Sequence, residues 1–194
     1  GRELEVAREV GAGQVLYADL HYWYGPLAPY LNAFLYACFG TRSETLTAAG
    51  LVSAGAMTAV LYVLARRYAD RLGAAMIATA FVYLCAFGHY LENDIFNWAT
   101  PYAYAATYGM LAATASLLAL VRFGETGGRV WLGVSLVALG LTLLSKLEPT
   151  AAVLLAHGAF LVAAWLGGAR GLAVAVGGYT VVAVSVAATM GWFT

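Results

Sequence analysis

The sequence predicts an all-α fold: a polytopic membrane bundle of about six spanning helices, preceded by an outer juxtamembrane helical segment. Three observations carry that expectation. Of 194 residues, 62% are hydrophobic and 10% charged, with a mean hydropathy of +0.77. A soluble domain carries about 25% charged residues, so a water-soluble enzyme is excluded, and disorder with it. Apolar runs long enough for a bilayer recur along the chain, and the basic residues between them fall on one side. Net charge is zero, which excludes a basic surface for nucleic acid.

The spans follow from charge-free windows, since about 20 apolar residues cross a hydrocarbon core of roughly 30 Å. They are Thr45–Ala65, Leu72–Leu91, Pro101–Val121, Val130–Ser145, Pro149–Ala169 and Gly171–Phe193. Thr100-Pro101 and Glu148-Pro149 have proline where a helix starts and its missing N–H costs nothing. Gly- and Ala-rich spans suit close helix packing in lipid. Alternating the six spans gathers Arg66, Arg67, Arg71, Arg122, Arg129 and Arg170 on one face with Asp70 and Glu125. Arg42, Glu44, Glu92, Asp94, Lys146 and Glu148 take the other. Basic residues are retained in the cytoplasm, so the arginine face is predicted to be cytoplasmic.

Residues 1–44 form the expected outer loop and residues 45–194 the bundle. Within the loop, Tyr22–Phe39 is too short in its unbroken apolar part to span and is expected to lie on the membrane. Leu27, Leu31, Phe34, Leu35 and Cys38 share one helical face there, with Asn32 and Tyr36 off it. Cys38 and Cys85 have no metal-ligand spacing and are expected as small core hydrophobes. The chain begins with Gly and ends inside an apolar run, so both ends are expected to be truncations of a longer protein.

Ionisable groups near the membrane are functional candidates. Asp19 stands alone among aromatic residues, as a general base or as an aspartate fixing the following turn. His21 could orient Asp19, contact a phosphate or simply be solvated. Glu92 and Asp94 are either a hydrated acidic loop or, with Asp19, weak candidates for holding a divalent cation. Lys146 is more specific. Sixteen uncharged residues separate it from Arg129, a rise of roughly 25 Å at helical pitch, so one of the two lies below the interface or snorkels. Its anionic partner is either Glu148 or a bound phosphate. His157, mid-span among Leu and Ala, is expected to make a helix–helix hydrogen bond.

A resemblance enters here. Ala7-Arg8-Glu9, Gly13, Tyr17-Ala-Asp19, Gly25-Pro26-Leu27, Tyr30-Leu31 and Phe39-Gly40 resemble the first outer loop of GT-C glycosyltransferases. Those polytopic enzymes use polyprenyl-phosphate sugars and include protein O-mannosyltransferases and aminoarabinose transferases. Arg66-Arg67 and Leu144-Ser145-Lys146 with Pro149 are similar to further stretches of that family. The resemblance implies a sugar donor on a polyprenyl phosphate, an acceptor outside the cytoplasm, and a bacterial or archaeal cytoplasmic membrane. It gives Asp19 the catalytic role, and places His21, Glu92, Asp94, Lys146 and Glu148 around the substrate. It also puts the family's best-known catalytic acid just before Gly1, and assigns nothing to Glu3 or Glu5. The rival class is a non-catalytic transporter or scaffold module, which predicts charges at mid-membrane and broken helices.

Overall fold

A computed structural model describes residues 2–88 and 97–166. Among these the fold is all-α: α1 (Arg2–Gly11), α2 (Leu27–Phe39), α3 (Ser43–Ala65), α4 (Arg71–Ala80) running into a π-helical segment (Phe81–Ala86), α5 (Tyr104–Thr126), α6 (Arg129–Leu143) and α7 (Leu147–Leu166).

Three helices are long and apolar enough to cross a membrane: α3, α5 and α7. Of the six expected spans, Thr45–Ala65, Pro101–Val121 and Pro149–Ala169 correspond to these helices, and the other three do not meet that measure among the described residues. The expected Leu72–Leu91 span is a ten-residue α-helix capped by Asp70, whose carboxylate accepts from Gly73 N–H at 2.7 Å, and then a six-residue π segment. Phe81 opens that segment edge-on to Trp98, with ring centroids 5.1 Å apart. Trp98 N–H also bonds the Ala86 carbonyl at 2.9 Å, so the break is held by a tertiary contact. The expected Val130–Ser145 span is a helix of 15 residues, about 22 Å long. The expected Gly171–Phe193 span lies outside the described residues.

Helix α5 is the hub. Its buried positions are mostly small or hydroxylated, including Ala105, Gly109, Ala112, Ala113 and Ser116, which lets neighbouring backbones approach. Gly109 faces Ser145 and Pro149, Ser116 faces Ser135 and His157, and Arg122 stacks on Trp131. Those pairings run α6 antiparallel and α7 parallel to α5. Tyr104 bonding the Leu46 carbonyl at 2.9 Å and Arg67 meeting Glu125 at 3.1 Å run α3 parallel to α5 as well. Arg67, Arg122 and Glu125 therefore share one end of the bundle, and Lys146 lies at the other.

His157 joins three helices, as expected. Its Nε2 lies 3.0 Å from Ser135 Oγ and 3.3 Å from Ser116 Oγ, and its Nδ1 lies 2.8 Å from the Val153 carbonyl. That carbonyl only accepts, so Nδ1 carries a hydrogen. All three side chains are buried, and each serine hydroxyl also reaches the other's carbonyl. A buried polar group without partners is costly, and this node satisfies its own.

Helix α2 lies across one end of the bundle. Its first residue, Leu27, bonds the Leu144 carbonyl in the α6–α7 turn, and its last joins α3 through residues 40–42. Both are at the Lys146 end. Its faces are the reverse of an amphipathic helix in water. Asn32 and Tyr36 are buried, while Leu31, Phe34, Cys38 and Phe39 are exposed. The Tyr108 hydroxyl, 2.8 Å from Asn32 Oδ1, draws the polar side inward. Cys38 is thus no core residue, and Cys85 is half-buried.

Candidate functional site

Two cavities open at the Lys146 end, with Tyr22-Trp23-Tyr24 forming the wall between them. The segment is held from both sides. Gly25 N–H donates to the Ser145 carbonyl at 2.7 Å and Leu27 N–H to the Leu144 carbonyl at 3.0 Å. A Cβ on Gly25 would fall 2.2 Å from the Leu144 oxygen, so only glycine permits this approach. The Gly25-Pro26-Leu27 motif is thereby a backbone clip between the outer loop and the α6–α7 turn.

The first cavity, about 650 Å³, is lined by Tyr17, Tyr24, Gly25, Ser145, Lys146 and Glu148 among others. The Lys146 side chain is 25% exposed; its Nζ lies 3.2 Å from a Glu148 oxygen and 5.2 Å from the centre of the Tyr24 ring. Glu148 is itself 70% exposed, so this ion pair is a weak tether, worth roughly 0–1 kcal/mol. Tyr17 has a positive φ of 69°, an uncommon backbone for a bulky residue, and its hydroxyl donates to the Tyr24 carbonyl. Burial pushes the Tyr17 phenol up to about 12.

The second cavity, about 370 Å³, holds Glu3. The Tyr22 hydroxyl donates to both Glu3 oxygens, at 3.1 and 3.2 Å. Burial pushes the Glu3 carboxyl above its usual range, against the opposing pull of Tyr22 and the Tyr104 N–H. Burial likewise pushes Tyr22 up, reinforced by the adjacent Glu3 charge.

The structure brings Lys146 and Glu148 together and places Asp19 and His21 elsewhere. Asp19 is exposed, lines neither cavity, and accepts the Val15 N–H at 2.8 Å, which fixes its turn. His21 is exposed, stacks edge-on to Trp23 at 4.5 Å between centroids, and accepts from Arg2 through its carbonyl. Its ring therefore does not orient Asp19 through any bond the structure shows. Glu92 and Asp94 lie outside the described residues. Among the described residues no three His, Cys, Asp or Glu side chains come together to hold a metal ion. Sequence reasoning missed Glu3, whose partner Tyr22 is 19 residues away and leaves no local signal.

Comparison of the sequence with protein-family models, with curated proteins and with solved structures finds no match.

Proposed function

We propose that this chain belongs to an integral-membrane glycosyltransferase that takes a sugar from a polyprenyl-phosphate donor, with the lipid phosphate at Lys146. The observation that carries this reading is the chain's only lysine, set on a cavity wall at the end of a helix of 15 residues. About 22 Å of helix is shorter than a hydrocarbon core of roughly 30 Å, which draws the ammonium toward lipid headgroup depth. Lysine is a compact point charge suited to a phosphate.

Six spans and an outward-facing site are part of the same proposal. Since α3, α5 and α7 run parallel, the chain between them must return each time, through α4 with its π segment and through α6. The arginine end is then cytoplasmic by the distribution of basic residues. Single cysteines in a Cys38- and Cys85-free background test this. Thr41→Cys is expected to react with an impermeant thiol reagent in intact cells, and Gly127→Cys is not. Labelling at Gly127 alone would invert the orientation.

In the transfer, the bond from the sugar's anomeric carbon to the phosphate oxygen breaks, and a bond to an acceptor hydroxyl forms. The phosphate leaves as a stable anion on its lipid, neutralised by Lys146, and the hydroxyl's proton passes to a carboxylate. The resemblance gives that carboxylate as Asp19, whose side chain lines neither cavity and holds the Val15 N–H. Full-length protein in nanodiscs, given a radiolabelled polyprenyl-phosphate hexose, is expected to release free polyprenyl phosphate. Asp19→Asn keeps an acceptor for Val15 N–H, removes the charge, and is expected to lower release at least about a hundredfold with unchanged melting. Wild-type release from Asp19→Asn would leave Asp19 its turn alone. No release, with solute flux across vesicles instead, would establish the transporter reading.

A further inference from the structure

We propose that the Glu3 cavity is a second ligand site, built for an uncharged, hydroxyl-rich ring such as a sugar. The inference deepens the transfer reading, because such a ring beside the Lys146 cavity is an acceptor, and it rests on that reading for this role alone. At about 370 Å³ the cavity is at the small end of ligand sites, which run from roughly 300 to 1,000 Å³.

Its lining is mixed in a way that few ligand classes match. Glu3 makes no ion pair among the described residues. Tyr22 fixes its orientation, and a carboxylate has about four acceptor positions, so capacity remains for ligand hydroxyls. Ser43, Thr47 and Thr100 add hydroxyls, of which that of Thr47 already donates to the Ser43 carbonyl and keeps only its acceptor side, and that of Thr100 accepts from Asn97 and keeps its hydrogen. Trp23 and Tyr102, 74% and 89% exposed, line the cavity with aromatic rings. The faces of such rings are apolar surfaces on which the C–H side of a pyranose ring stacks, leaving its hydroxyls for the polar groups.

Other occupants fit less well. An anion meets the Glu3 carboxylate. A lipid tail would strip water from a carboxylate without replacing its bonds. An alkylammonium would be welcome to the rings, but the Arg2 guanidinium already lies on the same wall and adds like-charge repulsion.

Saturation-transfer NMR on the full-length protein in nanodiscs tests this with methyl α-glucopyranoside and methyl α-mannopyranoside, against choline and inorganic phosphate. At least one glycoside is expected to bind saturably. Glu3→Gln should weaken it about tenfold, the scale of one hydrogen bond to a charged acceptor. Tyr102→Ala, at a site too exposed to matter for folding, should weaken it about fivefold, the scale of one aromatic contact. Choline binding in place of both glycosides, no saturation by either glycoside, or glycoside binding indifferent to both variants would overturn the proposal. Affinity for polyprenyl phosphate, measured alongside, separates the two readings: its loss overturns the donor site and leaves the glycoside result standing.

Discussion

Gly25→Ala is expected to lower thermal stability strongly and to weaken donor binding at the same time. The added methyl would lie 2.2 Å from the Leu144 oxygen, 2.5 Å from the Leu144 carbonyl carbon and 2.9 Å from the Ser145 nitrogen. All three are backbone atoms in the tight α6–α7 turn and cannot rotate away as a side chain would. The loop must therefore retreat. It gives up the Gly25–Ser145 hydrogen bond and strains the Leu27–Leu144 bond that starts α2. Overpacking of this kind costs about 1–3 kcal/mol, and each lost hydrogen bond adds about 0.5–1.5 kcal/mol. Because Tyr24 and Gly25 also form the wall beside Lys146, the cavity opens as the clip fails. Gly55→Ala in α3, where an added methyl meets nothing within 4 Å, is the matched control and should be neutral or stabilising. Melting and donor affinity of both variants in detergent provide the check. A Gly25→Ala protein with wild-type melting would show that the clip is not rigid.

Much of the bundle is legible because its boundaries are charges. The run from Thr45 to Ala65 sits between Glu44 and Arg66, and α3 covers Ser43–Ala65. The π segment is not legible. Phe81 to Ala86 is as apolar as the helix before it, and the residue that meets both its ends, Trp98, lies outside it in the sequence. The facing of α2 follows from its surroundings. An apolar stripe points inward when the surroundings are water, but at a lipid boundary the polar stripe finds its bonds inside, as Asn32 does with Tyr108. Lys146 is legible because a lone cation on a short helix is anomalous without a neighbour in view. Asp19 draws notice as a solitary acid that either acts as a base or fixes the following turn, and the structure shows it accepting the N–H of Val15, four residues before it. Glu3 draws none, since its setting is made by residues 19 and about a hundred positions away, Tyr22 and Tyr104.

Lys146→Gln is expected to weaken binding of polyprenyl phosphate at least about tenfold, as loss of one charge-assisted hydrogen bond requires. Its melting should stay near that of the wild type. Two ordinary forces act on this ammonium besides a ligand. The end of α6 attracts a cation by about 0.3–1 kcal/mol, and the pair with exposed Glu148 contributes about as little. A charge at the bilayer centre would cost roughly 2.5–3.5 kcal/mol, but at headgroup depth that cost largely vanishes, so these two forces suffice to hold the ammonium and its affinity for phosphate is what distinguishes a donor site. Glu148→Gln should matter less, and Lys146→Arg should bind with altered placement because a planar fork replaces a point charge. The decisive measurement is the pair of values for Lys146→Gln in detergent, polyprenyl-phosphate affinity and melting temperature. Lost affinity at unchanged melting supports the donor site; unchanged affinity with a large drop in melting would make Lys146 half of an internal ion pair and remove the phosphate from this cavity.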